Sequence, residues 1–248
     1  MLNRTFILFD RITATSEQKL FSQGIHTWQD FLQAKTIKGI SKQRKTFYDL
    51  QIRRAQAALQ KKDWTYFSKR LSSTDMWRLY LELRDECCYL DIEAQGKNIL
   101  LLGVYADDEY IALLQGKTLS KELFLDILKK FPFIVTFNGT SFDIPLIERY
   151  FGISLKEYLH FDVRHAAKKI GLVGGLKNIE KKLNIRRESV ISGKELYGLF
   201  KHYLATQNED ALRSLLHYNE EDCKNLESLC HHVCKVLEKK TFNSTQKK

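Results

Sequence analysis

Three short acidic motifs carry the side chains that could do chemistry. The first is Asp91-Ile92-Glu93. On a strand alternate residues share a face, so both carboxylates project together from an otherwise apolar segment. Two acids on the apolar strand of a core are costly unless something cationic compensates them. The second is Asn138-Gly139-Thr140-Ser141-Phe142-Asp143-Ile144-Pro145-Leu146. Its glycine permits a sharp turn, and Asp143 stands where a helix would open, next to the positive end of the helix dipole. Asn-x-x-x-Phe-Asp has a chance expectation of only about 0.02 in a chain of ordinary composition, so this motif is the most specific of the three. The third is Tyr218-Asn219-Glu220-Glu221-Asp222, in which Tyr218 and Asp222 are four apart and share one helix face. Leu215, Leu226 and Leu229 make that face a buried one. Four carboxylates in one cleft would repel each other and rise in pKa, and hard divalent cations with a preference for oxygen would relieve them.

Positioning these groups is the task of a mixed α/β sheet. Cys87–Glu93, Ile99–Tyr105 and Tyr110–Leu114 read as strands, and the links between them are too short for helical crossovers, so they should form an antiparallel meander. Leu123, Phe124, Ile127 and Leu128 give residues 120–130 a helical apolar face. Phe133–Phe137 is then a buried strand which, reached through a helix, can lie parallel to the first. Beyond it the chain reads as almost wholly helical, and Ser192-Gly193-Lys194-Glu195 has the spacing of a capping box. Strands, helix, strand and helices in this order bring the ends of the first and fourth strands together.

The three motifs, in this order and spacing, closely resemble those of the DEDD exonucleases, which include DnaQ-like proofreading enzymes. The layout is most similar to the YprB-like ribonuclease H-like family, and Gly174-Gly175-Leu176-Lys177-Asn178-Ile179-Glu180 fits it as well. This resemblance covers roughly residues 86–235. It implies a ribonuclease H-like mixed sheet flanked by helices. It also implies that Asp91, Glu93, Asp143 and Asp222 hold two divalent ions, Mg²⁺ or Mn²⁺, and that Tyr218 orients or helps deprotonate the attacking water. The reaction implied is 3′→5′ exonucleolysis of single-stranded nucleic acid, with DNA favoured over RNA. Two alternatives stay open: an RNA-trimming ribonuclease, and a non-catalytic nucleic-acid-binding module on the same fold. His217 precedes Asp222 by five, the spacing of the sister subclass whose base is histidine. Five residues turn about 500° on a helix and four about 400°, so Tyr218 is the one that faces with Asp222. Asn138 and Phe142 are expected to shape the pocket for the terminal nucleotide, Lys177 to touch a phosphate, and Asp162 to cap a helix or support the site.

Net charge completes the reading. The overall +10 is uneven: residues 1–84 hold 16 Lys/Arg against 7 Asp/Glu, and residues 85–248 hold 24 against 23. A basic appendage beside a neutral domain suits a polyanionic partner. The expected organisation is a basic helical module over 1–84, a nuclease domain over 85–240 and a flexible tail over 241–248. In the module, helices around 15–21, 27–32 and 41–60 resemble a helix-hairpin-helix grip on nucleic acid. Five cysteines, two of them adjacent, are no disulfide framework, and Cys230 and Cys234 read as buried helix-face thiols. No apolar run reaches the roughly 18 residues needed to cross a bilayer, and Thr5–Phe9 is too short for a signal-peptide core. A cytoplasmic location with no membrane partner is expected.

Overall fold

The computed structural model describes residues 1–189, 191 and 193–242. The chain divides into two compact units. One is Met1–Leu83 together with the C-terminal residues from Cys234 onward; the other is Arg84–Val233.

The N-terminal unit is helical. It contains α1 (Ala14–Phe21), α2 (Trp28–Gln33), α3 (Lys42–Gln60), α4 (Trp64–Ser68) and α5 (Trp77–Leu83). Local chemistry sets where these helices begin. The Thr13 hydroxyl accepts from the Ser16 amide at the start of α1, and Thr27 with Asp30 forms a full capping box on α2. Phe6, Phe21, Trp28, Phe31, Phe67 and Trp77 fill the core. Within it Glu17 and Arg78 pair at 2.7 Å, and Glu17 also accepts the Phe6 amide at 2.7 Å, so the buried carboxylate is satisfied.

The second unit is built on a five-stranded mixed sheet of order β3-β2-β1-β4-β5. Its strands are β1 (Cys87–Gln95), β2 (Asn98–Ala106), β3 (Glu109–Leu114), β4 (Phe133–Thr136) and β5 (Leu159–Asp162). The first three form the expected antiparallel meander, and β4 lies parallel to β1, pairing Cys87 with Phe133. The helices are α6 (Lys121–Lys130), α7 (Asp143–Phe151), α8 (Val163–Lys168), α9 (Leu176–Leu183), α10 (Gly193–Thr206) and α11 (Glu209–Phe242). One side of the sheet packs on Phe124, Leu128, Leu146 and Ile147 of α6 and α7. On the other side Leu101 and Leu114 pack with Phe200 of α10 and Leu215 of α11.

Three expectations need correction or restriction. The stretch after Phe137 is not wholly helical: Leu159–Asp162 adds a fifth strand, parallel to β4, with Val135 opposite Phe161. The chain from Cys234 onward groups with the N-terminal unit instead of the nuclease domain. The reason is Phe242, whose ring lies 5.6 Å from that of Phe21 and 6.4 Å from that of Trp77. Thr241 and Phe242 are therefore helical and packed, whereas 243–248 lie outside the described residues, as does the expected cap Ser192. No helix among the described residues is long and apolar enough to cross a membrane.

Candidate active site

Asp91 sits in the middle of β1, opposite Gly103 on β2. Glu93 follows two residues on, on the same face, and Asp222 reaches that face from α11. Oxygens of Asp91, Glu93 and Asp222 all lie within 4.8 Å of one another. No other such group of His, Cys, Asp and Glu exists among the described residues. Cys230 and Cys234 are buried thiols on α11, whereas His231 and His232 are exposed.

The fourth acid, Asp143, is the first residue of α7 and stands outside that 4.8 Å group. It is nonetheless a neighbour. Burial pushes its pKa up to about 7 against the pull of its own amide and that of Ile92, the residue between Asp91 and Glu93. Burial likewise raises Asp91 well above the usual carboxylate range, helped by repulsion from Asp222, Glu93 and Asp143. Glu93 is pushed up to about 8 by burial and Asp222. Asp222 is raised by burial, with Arg187 pulling the other way. Four mutually repelling carboxylates gathered around the central strand β1 form an all-oxygen donor set with surplus negative charge, which a hard divalent cation fits.

Two cations already stand beside these carboxylates. The Arg187 guanidinium bonds to Asp222, to Glu180 at 2.9 Å, and approaches Glu221 at 3.9 Å. Lys177 lies over the Tyr218 ring, 4.2 Å from its centre, and donates to the Ile191 carbonyl at 2.8 Å. Tyr218 is only 6% exposed, while His217, one residue earlier, is exposed. Burial and the nearby Asp222, Glu93 and Asp91 raise the Tyr218 phenol, so it keeps its proton through the neutral range.

Asp91 is oriented by a residue that composition and spacing did not single out. Asn219, fully buried, donates from Nδ2 to the Asp91 carboxylate at 2.8 Å and accepts from the Tyr110 hydroxyl at 2.8 Å. Gly103 makes room for it: a Cβ there would lie 1.7 Å from Asn219 Oδ1. The signal was present, since Asn219 lies inside the third motif and three residues from Asp222. Arg187 gave none, because it comes from an aperiodic loop.

The second motif is held by Asp162. Its carboxylate accepts from the amides of Asn138 at 2.8 Å, Thr140 at 3.1 Å and Arg164 at 3.2 Å. It thus caps α8 and clamps the turn that leads to Asp143. Asn138 takes a left-handed φ of 68°, and its side-chain oxygen accepts from Arg164. Gly139 is needed because a Cβ would come within 2.2 Å of Thr136 Oγ1. Phe142 is 50% exposed at the mouth of this turn, so it is not a core residue.

Comparison with known proteins agrees with the fold. Residues 88–234 match the family model described as the RNase_H superfamily. A stretch of 115 residues is 33% identical to the uncharacterized protein YprB of Bacillus subtilis (strain 168). That stretch makes up 42% of this chain and 28% of the relative, so the chain spans well under half of that protein's length. With the family match covering all three acidic motifs and nearly all of the five-stranded sheet, the chain belongs to the RNase_H superfamily.

Proposed function

We propose that the protein is a metal-dependent 3′→5′ exonuclease that hydrolyses single-stranded nucleic acid, DNA in preference to RNA. The observation that carries the reading is the convergence of Asp91, Glu93 and Asp222 within 4.8 Å, with Asp143 alongside. Asp91 and Glu93 from β1, Asp143 from α7 and Asp222 from α11 would hold two Mg²⁺ or Mn²⁺ ions. When bound, such ions lower the pKa of a water and neutralise charge on the leaving oxygen.

The residues then divide the work. Tyr218 orients or helps deprotonate the attacking water. The water oxygen bonds to phosphorus and gives up one proton, the bond from phosphorus to the 3′-oxygen breaks, and that oxygen takes up one proton, so one water is consumed for each bond cut. Lys177, which lies over the Tyr218 ring, would meet a phosphate oxygen. Asn138 and the exposed Phe142, in the turn that leads to Asp143, would shape the pocket for the terminal nucleotide. Asn219 and Asp162 act through others: the first aims Asp91, the second fixes the turn before Asp143.

The test is digestion of 5′-labelled and 3′-labelled single strands, with DNA and RNA in competition. Mononucleotide release is expected with Mg²⁺ or Mn²⁺, and loss of activity in Asp91→Ala and Asp143→Ala. Full activity in a chelator, or in the Asp91 variant, would overturn the reading. Tight binding without cleavage under any divalent ion would point instead to a retired nuclease that only binds.

A further inference from the structure

The N-terminal unit contains a basic pocket of about 200 Å³, apart from the acidic cleft. Four cations from four segments line it: Arg11 before α1, Lys19 on α1, Lys38 after α2 and Arg44 in the first turn of α3. No Asp or Glu is among its lining residues. None of the four side chains has an ion-pair or hydrogen-bond partner among the described residues. Nearby acids are engaged elsewhere: Asp49 with Lys45 at 2.7 Å, Asp10 with Gln51 at 2.7 Å, Glu17 with Arg78. Like charges gathered without counterions create a positive field that favours a polyanion.

The pocket is held by its backbone. Arg11 takes a left-handed φ of 62°, a conformation that side chains other than glycine adopt at a cost. The Gln23 side-chain amide binds both the Lys38 amide, at 2.9 Å, and the Lys38 carbonyl, at 3.4 Å. The Tyr48 hydroxyl, at the floor, bonds to the Asp10 carbonyl at 3.2 Å. Phe47, three residues from Arg44 on α3 and next in sequence to the lining residue Tyr48, is 48% exposed, with its ring 5.9 Å from that of Tyr48.

We propose that this pocket is a seat for backbone phosphates of single-stranded nucleic acid, with Phe47 offering a stacking face to an adjacent base. The proposal rests on the reading that the chain handles nucleic acid. Arg and Lys supply the charge-assisted donors a phosphate requires, and the exposed ring favours a strand with bases over a free phosphate.

The experiment measures anisotropy of a fluorescein-labelled oligothymidylate on the full chain, in chelator, across a salt series. In the combined variant Arg11→Gln, Lys19→Gln, Lys38→Gln, Arg44→Gln, the slope of log affinity against log salt should fall by about 0.7 per charge removed. The pair Lys38→Gln with Arg44→Gln should give half that fall, and serves if the fourfold variant melts early. Phe47→Ala should weaken affinity roughly tenfold with the salt slope unchanged. The control, Lys61→Gln with Lys62→Gln at the far end of α3, should change the slope less than the pair does. An unchanged slope in the pocket variants, or an equal loss in the control, overturns the proposal. So does a thermal shift by inorganic phosphate that needs the four cations while oligonucleotide binding does not. Cleavage of the same strand in Mg²⁺ is followed in parallel. Cleavage with an unaffected slope removes the seat and leaves the nuclease standing; a reduced slope without cleavage does the reverse.

Discussion

Glu93 and Asp143 hold protons at pH values where free carboxyls have lost them, at about 8 and about 7 against ordinary values of 4.5 and 3.8. In both, burial is the leading cause. A raised folded-state pKa means that the folded chain binds protons the unfolded chain has released. The contribution to stability is therefore whole below the unfolded values and lost as pH rises through the folded ones. Without metal, the melting temperature should decline from about pH 5 to about pH 9, roughly one unit above the value of about 8 at which Glu93 is half titrated. Mg²⁺ or Mn²⁺ should reverse that decline, with more effect at pH 8 than at pH 5, because ligand carboxylates must lose their protons to bind. Calorimetry of wild type and Glu93→Gln, in chelator and in Mg²⁺, isolates the contribution. A decline no shallower in Glu93→Gln than in wild type would contradict it.

At the scale of elements, the site depends on how closely α11 approaches β2. Gly103 lets Asn219 reach Asp91, and the three strands of the meander present Asp91, Gly103 and Ala112 side by side. Gly103→Ala forces the Asn219 side chain to move, which should cost about 1–3 kcal/mol of stability. Nuclease activity should fall further than the stability loss accounts for. Adding Asn219→Ala should recover stability, since the colliding oxygen is gone, and should not recover activity, since Asp91 has lost its tether. Recovery of both in the double variant would remove the orienting role of Asn219. Much of this layer was legible in the sequence. Runs such as Ile99–Tyr105 and the short links between them dictate a meander, and Asp91-Ile92-Glu93 displays its alternation openly. The fifth strand was not legible, because Leu159-His160-Phe161-Asp162 is four residues long and owes its conformation to pairing with β4. Arg187 was equally hidden: only the folded chain brings it onto Asp222, 35 residues away. The position of Asp162 near a helix start was readable, but its grip on Asn138 and Thr140 comes from the β4–β5 pairing.

For the whole molecule, the consequence lies in how the chain is shared between its two units. The N-terminal unit is discontinuous, because α11 begins in the sheet-bearing unit and its last residues complete the helical core. Phe242 is buried against Phe21 and Trp77, the Arg4 guanidinium lies 4.5 Å over its ring, and Gln18 donates to the Thr241 carbonyl at 2.8 Å. Cutting the chain at the composition break near residue 84 would strip that aromatic end of its packing, so charge-neutralising variants of the full chain are the sounder way to test the basic unit. Phe242→Ala should remove about 3–5 kcal/mol from the helical unit, the usual cost of emptying an aromatic site in a core. Native-state hydrogen exchange reads where the loss falls. Protection should drop in α1 and α5, which line the Phe242 site, while the amides of β1 and β2 keep theirs. Oligonucleotide affinity should weaken along with α1, which carries Lys19 of the basic pocket. Uniform loss of protection through both units would mean that the chain unfolds as one cooperative body, and that the division at Leu83 and Val233 has no energetic counterpart.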